Sequence, residues 1–122
     1  MLQRIGSADL RARWEQISAG EFSDEQLTDS RNKITQAVER VEARLDGRDW
    51  LMGDLSIADL ESYAWLAGMV TVVPAAFAGK TRTGAWLARL RSHPAVAKAL
   101  SLARSADPAS SWSVGPEINR WG

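Results

Sequence analysis

The eleven residues Trp50-Leu51-Met52-Gly53-Asp54-Leu55-Ser56-Ile57-Ala58-Asp59-Leu60 constrain this chain more than any other stretch. Gly53 and Asp54 read as a turn. Ser56, three residues before Asp59, has the spacing of a capping box: the Ser56 hydroxyl accepts the Asp59 N–H, and the Asp59 carboxylate reaches back to the Ser56 N–H. Leu55 and Leu60 take the N′ and N4 positions, where they can form a hydrophobic staple that fixes the entry angle. A serine beside an aspartate also resembles a catalytic pair, but the two capping bonds account for both side chains. The stretch predicts a firmly anchored helix that is going to be buried.

The rest of the pattern is helical too. Leu10, Trp14 and Ile17 recur at four and three residues, with Gly20 placed to end that helix. Ser23-Asp24-Glu25-Gln26 is a second capping box. It opens a helix whose apolar positions Leu27, Ile34, Val38, Val41 and Leu45 lie on one face, closed by Gly47. Residues 57–73 carry only two charges, Asp59 and Glu61. A helix apolar nearly all round predicts a central, buried element, ended by Pro74. Trp86, Leu87 and Leu90 mark a further helix that stops before Pro94, and Val96, Leu100 and Ala103 mark the last. With no partner strands in sight, the expected class is all-α: a helical bundle around the Ile57 helix. One domain is expected, with a core of about residues 8–104. The tail, residues 105–122, is rich in Pro, Gly and Ser and reads as irregular.

Composition excludes several kinds of chemistry. There is no cysteine and a single histidine, His93, so neither a thiol nucleophile nor the usual nitrogen–sulfur metal site can be built, and no metal is expected. His93 precedes Pro94 and reads as a helix cap or a surface residue. Gly79-Lys80-Thr81 ends like a phosphate-binding loop, but Pro74 stands where that motif needs its first glycine. No apolar run reaches the length of a membrane span, and no secretory signal opens the chain; no membrane association and a cytoplasmic location are expected. Net charge is zero but lopsided. Residues 1–61 hold eight Lys/Arg and thirteen Asp/Glu, and residues 62–122 hold seven and two. The two halves face each other, or the cations sit near helix C-termini, or they leave a surface for an anion or an acidic partner. The basic residues are too sparse, and too bare of any motif, for nucleic acid.

Arg-Leu-Asp-Gly at 44–47, Leu-Met-Gly-Asp at 51–54 and Leu-Ser-Ile-Ala-Asp-Leu at 55–60 together resemble the capping-box region of the C-terminal, all-helical domain of cytosolic glutathione S-transferases. Trp86-Leu87-Ala88-Arg89-Leu90 and Ser92-His93-Pro94-Ala95-Val96 resemble the family's last two core helices, so the resemblance runs from about Leu27 to Leu102. The closing residues 115–122 look like the ends of some bacterial members. In that family a thioredoxin-like domain precedes the helices and supplies the glutathione site and the activating residue. The residues before Leu10 cannot encode it, so the chain is expected to be a fragment of a two-domain enzyme or a repurposed standalone domain. No cofactor is expected in the chain itself, and glutathione only with a thioredoxin-like partner.

The resemblance also implies a place for an apolar co-substrate, walled by the first helices and the tail. Arg11, Trp14, Tyr63 and Trp112 are the positions expected near it; alternatively Trp14 and Trp112 pack the tail onto the bundle. Trp65 and Trp86, at helical core periods, are expected in the core, and Trp50 resembles the family's aromatic that packs before the capping box and is expected to be structural. Three functions stay open: a domain that binds a small apolar or amphipathic molecule and serves transferase chemistry with a thioredoxin-like partner; a non-catalytic assembly module or homodimer; and a standalone enzyme using Arg11, Tyr63 or Glu15 on a non-thiol substrate.

Overall fold

The computed structural model describes residues 7–20 and 22–103. Seven helices follow one another among them: α1 (Ala8–Ala19), α2 (Asp24–Arg44), α3 (Ile57–Leu66), α4 (Met69–Val72), α5 (Pro74–Phe77), α6 (Thr81–Ser92) and α7 (Pro94–Ser101). The described residues contain no strand, only an isolated bridge between Met52 and Asp54 at the Gly53 turn. The all-α class is thus the observed one. The described residues fall into two compact units, one ending at Lys33 and the other running from Ile34.

The first unit holds α1 and the opening turns of α2. Ser7 caps α1, its hydroxyl accepting the Leu10 N–H at 3.4 Å. Gly20 ends α1 in the left-handed region at φ 66°, with its N–H on the carbonyls of Gln16 and Ile17; only glycine adopts that conformation without a steric cost. The second capping box forms in both directions: Gln26 N–H donates to Ser23 Oγ at 3.1 Å, and Ser23 N–H donates to Gln26 Oε1 at 3.0 Å. The Gln26 carboxamide also exchanges bonds with that of Gln16, which ties α1 to α2.

The second unit contains the core. Ile34, Val38, Val41 and Leu45 at the predicted spacing are all buried, as are Leu51, Leu66, Met69, Val73, Ala76, Trp86, Leu90 and Val96. Helix α3 packs on α6, α6 on α7, and α4 lies against both α3 and α5. Gly47 leaves α2 at φ 66°, as its position requires. Pro74 and Pro94 each occupy the first turn of a helix, where a missing N–H costs nothing. Val73 before Pro74 is pushed out of the helical region to φ −131°, ψ 64°.

Residues 57–73 differ from expectation in two ways. The single helix is interrupted at Ala67-Gly68 and restarts as α4. Gly68 weakens the helix there, and the Thr71 hydroxyl donates to the Gly68 carbonyl at 2.9 Å, a local bond that competes with the helical ladder. Nor is the segment buried all round. Ile57 is 72% exposed and Trp65 53%, so Trp65 is not a core residue. Apolar composition reports that a face needs a partner; here one side of α3 has none among the described residues.

Candidate functional site

Three features organise the second unit around α3 and α6. The first is Asp59, which is completely buried. Its capping box is in place, with the Ser56 N–H donating to Oδ2 at 3.0 Å. The Ser56 hydroxyl lies 3.4 Å from the same oxygen. The other carboxylate oxygen turns inward: Oδ1 accepts the Leu51 N–H and the Trp86 indole N–H, each at 2.9 Å. One side chain therefore closes the 51–56 loop, starts α3 and fixes the central tryptophan of α6. Every bond is to a structural donor, which leaves Asp59 and Ser56 as a folding device rather than a reactive pair. The staple positions Leu55 and Leu60 both remain partly exposed.

The second feature is a cap supplied from a distance. Helix α6 starts at Thr81 after Lys80, which has no side-chain acceptor for the free N–H groups. Glu42 on α2 does this work. Its Oε2 accepts the Thr83 N–H at 2.8 Å and the Thr83 hydroxyl at 2.7 Å, while Oε1 accepts the Arg82 N–H at 3.3 Å. The Arg82 guanidinium returns a bond to the Glu42 carbonyl at 3.0 Å. Burial alone pushes the Glu42 carboxyl up. The Thr83 hydroxyl and N–H, the Arg82 N–H and the Arg82 charge outweigh it, and the carboxyl lies below its ordinary value of 4.5. With these donors in place, Glu42 stabilises the fold rather than standing ready as a base.

The third feature is an open depression of about 420 Å³ lined by Leu45, Gly47, Arg48, Asp49, Arg82, Ala85 and Arg89. Its cations are engaged. Arg82 pairs with Asp46 and Arg89 with Asp49, both at 3.6 Å. Arg89 also donates to the Asp49 carbonyl and lies over the Trp50 ring at 5.3 Å. Arg89 in this way ties the Asp49–Trp50 stretch of the loop to α6. At these positions the acidic first half and the basic second half of the chain do face each other, and the wall is polar rather than apolar.

The described residues expected at a ligand site belong to α1 and α3. Arg11 and Trp14 stand one turn apart on α1, Arg11 exposed and Trp14 half-buried. Tyr63 is half-buried on α3, in the second unit. Trp112, with Trp121 and the rest of the tail, lies outside the described residues. His93 caps α7, its Nδ1 accepting the Ala95 N–H at 3.3 Å, which is the capping role read from Ser-His-Pro. Among the described residues no group of His, Asp and Glu could hold a metal ion. Among the described residues no helix is long and apolar enough to cross a membrane.

Two of these roles were not read from the sequence. The inward bonds of Asp59 and the Glu42 cap both span long separations. A signal for the second existed: a helix opening Lys-Thr-Arg-Thr supplies no acidic or amide cap of its own, so its free donors had to find an acceptor elsewhere.

Residues 7–94 match the family model described as glutathione S-transferase, C-terminal domain. The chain belongs to this family. The match reaches further towards the N-terminus than the motifs do, taking in α1, and it ends at Pro94 as α7 begins. Neither the curated proteins nor the solved structures yield a match. As a glutathione S-transferase C-terminal domain, the chain uses its Asp59 box, its Glu42 cap and its Arg89–Trp50 contact to hold helices. The described residues form helices joined by turns and contain no thioredoxin-like fold.

Proposed function

We propose that this domain is the helical half of a glutathione S-transferase-type assembly. It docks a thioredoxin-like domain, supplied in the same chain or as a separate one, and offers a small apolar or amphipathic molecule to the thiol which that domain activates. Arg11, Trp14, Tyr63 and Trp112 are the residues we assign to holding the small molecule. The partner would bind and ionise glutathione. The helical domain would orient the electrophile, a contribution of proximity rather than of acid–base chemistry.

What supports this reading, besides family membership, is the uncovered face of α3. Ile57, Leu60, Ala64 and Trp65 recur at helical spacing and all are exposed. An exposed stripe of this kind on an otherwise well-anchored helix is the mark of a surface that another folded unit covers. The absence of a reactive constellation among the described residues is consistent with chemistry supplied by a partner, and also with the second reading, a non-catalytic assembly module. The same face serves both.

Glutathione-agarose separates them. The chain alone should pass through, and it should be retained when a thioredoxin-like domain encoded in frame with it or beside it is added. Retention of the chain alone would contradict the division of labour. Complex formation without retention would favour the assembly module.

A further inference from the structure

The outward face of α3 is not uniformly apolar. Glu61 lies within it, four residues after Ile57 and four before Trp65. At about 1.5 Å per residue the stripe from Ile57 to Trp65 is roughly 12 Å long, and Glu61 is its midpoint. The Glu61 side chain is exposed, and among the described residues no ion pair or hydrogen bond reaches its carboxylate. The other charge of α3, Asp59, is buried and fully engaged. Whatever covers this face must therefore desolvate one carboxylate at its centre, which is strongly unfavourable without an opposing cation.

The geometry has a second consequence. Two copies of α3 paired antiparallel about a two-fold axis would set Ile57 of each copy opposite Trp65 of the other, a good apolar match. The same register would place the two Glu61 carboxylates against each other across the axis. Like charges so close in a drying interface repel and cannot both stay ionised. The residue that spoils self-pairing is the one that would reward a basic partner.

We propose that Glu61 determines what docks on α3: a protein surface that is apolar around a central lysine or arginine, and not a second copy of this chain. The inference rests on the docking role of α3 and adds the chemistry of its partner. It needs no knowledge of the natural partner to be tested, because the Glu61→Lys variant is itself an apolar surface with a central cation.

The isotopically labelled wild-type chain is titrated with unlabelled wild type and, separately, with unlabelled Glu61→Lys, and its amide and indole resonances are followed by NMR. The variant should shift the signals of Ile57, Leu60, Glu61, Ala64 and the Trp65 indole, and the shifts should weaken as salt is raised. Unlabelled wild type should shift none of them. Placing Ile57→Asp in the Glu61→Lys copy should abolish the effect. Since residues 57 and 61 are exposed, neither change is expected to prevent folding, and circular dichroism of each variant checks this. Equal shifts from wild type and variant, no shifts from the variant, or shifts that survive Ile57→Asp would each overturn the proposal. Docking of the wild-type chain to a thioredoxin-like domain is measured independently, so failure here would leave that reading standing.

Discussion

Replacement of Asp59 tests whether one carboxylate holds three elements together. Asp59→Ala removes the acceptor for the Leu51 N–H and the Trp86 indole N–H, both buried, and for the Ser56 N–H at the start of α3. Each orphaned buried donor costs about 1–3 kcal/mol, because it has lost water without gaining a partner. The lost helix cap adds about 1 kcal/mol. These losses share one cavity and water can relieve part of them, so the expected total is about 3–5 kcal/mol rather than the full sum. That is a large share of the roughly 5–15 kcal/mol available to a domain of this kind. At about 4 °C per kcal/mol the melting temperature should fall by roughly 12–20 °C. Asp59→Asn is the informative control. Its single carbonyl oxygen can replace Oδ1 and keep the Leu51 and Trp86 bonds. Its NH2 would then sit where Oδ2 accepts the Ser56 N–H, so only the capping side is lost. Urea unfolding followed by circular dichroism should give a loss for Asn of less than half that for Ala. A loss under about 1 kcal/mol for Asp59→Ala, no more than a single missing cap would give, would refute the three-way role. Equal losses for Asn and Ala would show that the negative charge matters rather than the division of bonds between the two oxygens.

Other outcomes follow from the remaining contacts. Glu42→Gln should cost about 1–2 kcal/mol at neutral pH, since it weakens a helix cap made by a charged group. Because the folded-state Glu42 carboxyl lies below 4.5, its contribution is fully present above that value and is lost as pH falls through the folded-state value; urea midpoints of wild type and Glu42→Gln should converge on acidification below about 4.5. Tryptophan fluorescence should change when an apolar ligand is titrated into the wild-type chain, and Trp14→Phe and Trp112→Phe should each reduce that change; an unchanged signal in all three would remove these residues from a ligand site. Ile57→Asp should leave stability within about 0.5 kcal/mol of wild type by urea unfolding, because the side chain is exposed.

The legible parts of this fold were the local ones. Gly20, the Ser23–Gln26 box, Gly47, the Ser56–Asp59 box and the two prolines act on backbone within four residues of themselves, and these roles follow from side-chain type and spacing. The apolar face of α2 was equally plain, because its period is regular and its other face is polar. Helix α3 misled because a run such as Ile-Ala-Asp-Leu-Glu-Ser-Tyr-Ala-Trp-Leu says that apolar surface wants cover without saying who provides it. Trp65 and Trp86 both sit at helical positions among apolar neighbours; full burial and the indole bond to Asp59 belong only to Trp86. Glu42 was hidden for another reason: its partners lie forty residues away, and nothing about a glutamate on a polar helix face marks it as the cap of another helix. The assignment of Arg11, Trp14, Tyr63 and Trp112 comes from family resemblance rather than from spacing.

The most direct test of the account is whether the uncovered face of α3 binds a thioredoxin-like domain. Sedimentation velocity on an equimolar mixture of the chain and a thioredoxin-like domain encoded with it or beside it should show a one-to-one complex. The same mixture with Ile57→Asp, an exposed position at which the fold should tolerate the change, should sediment as separate species. A wild-type mixture that shows no complex, or one that Ile57→Asp leaves undisturbed, would contradict the central claim.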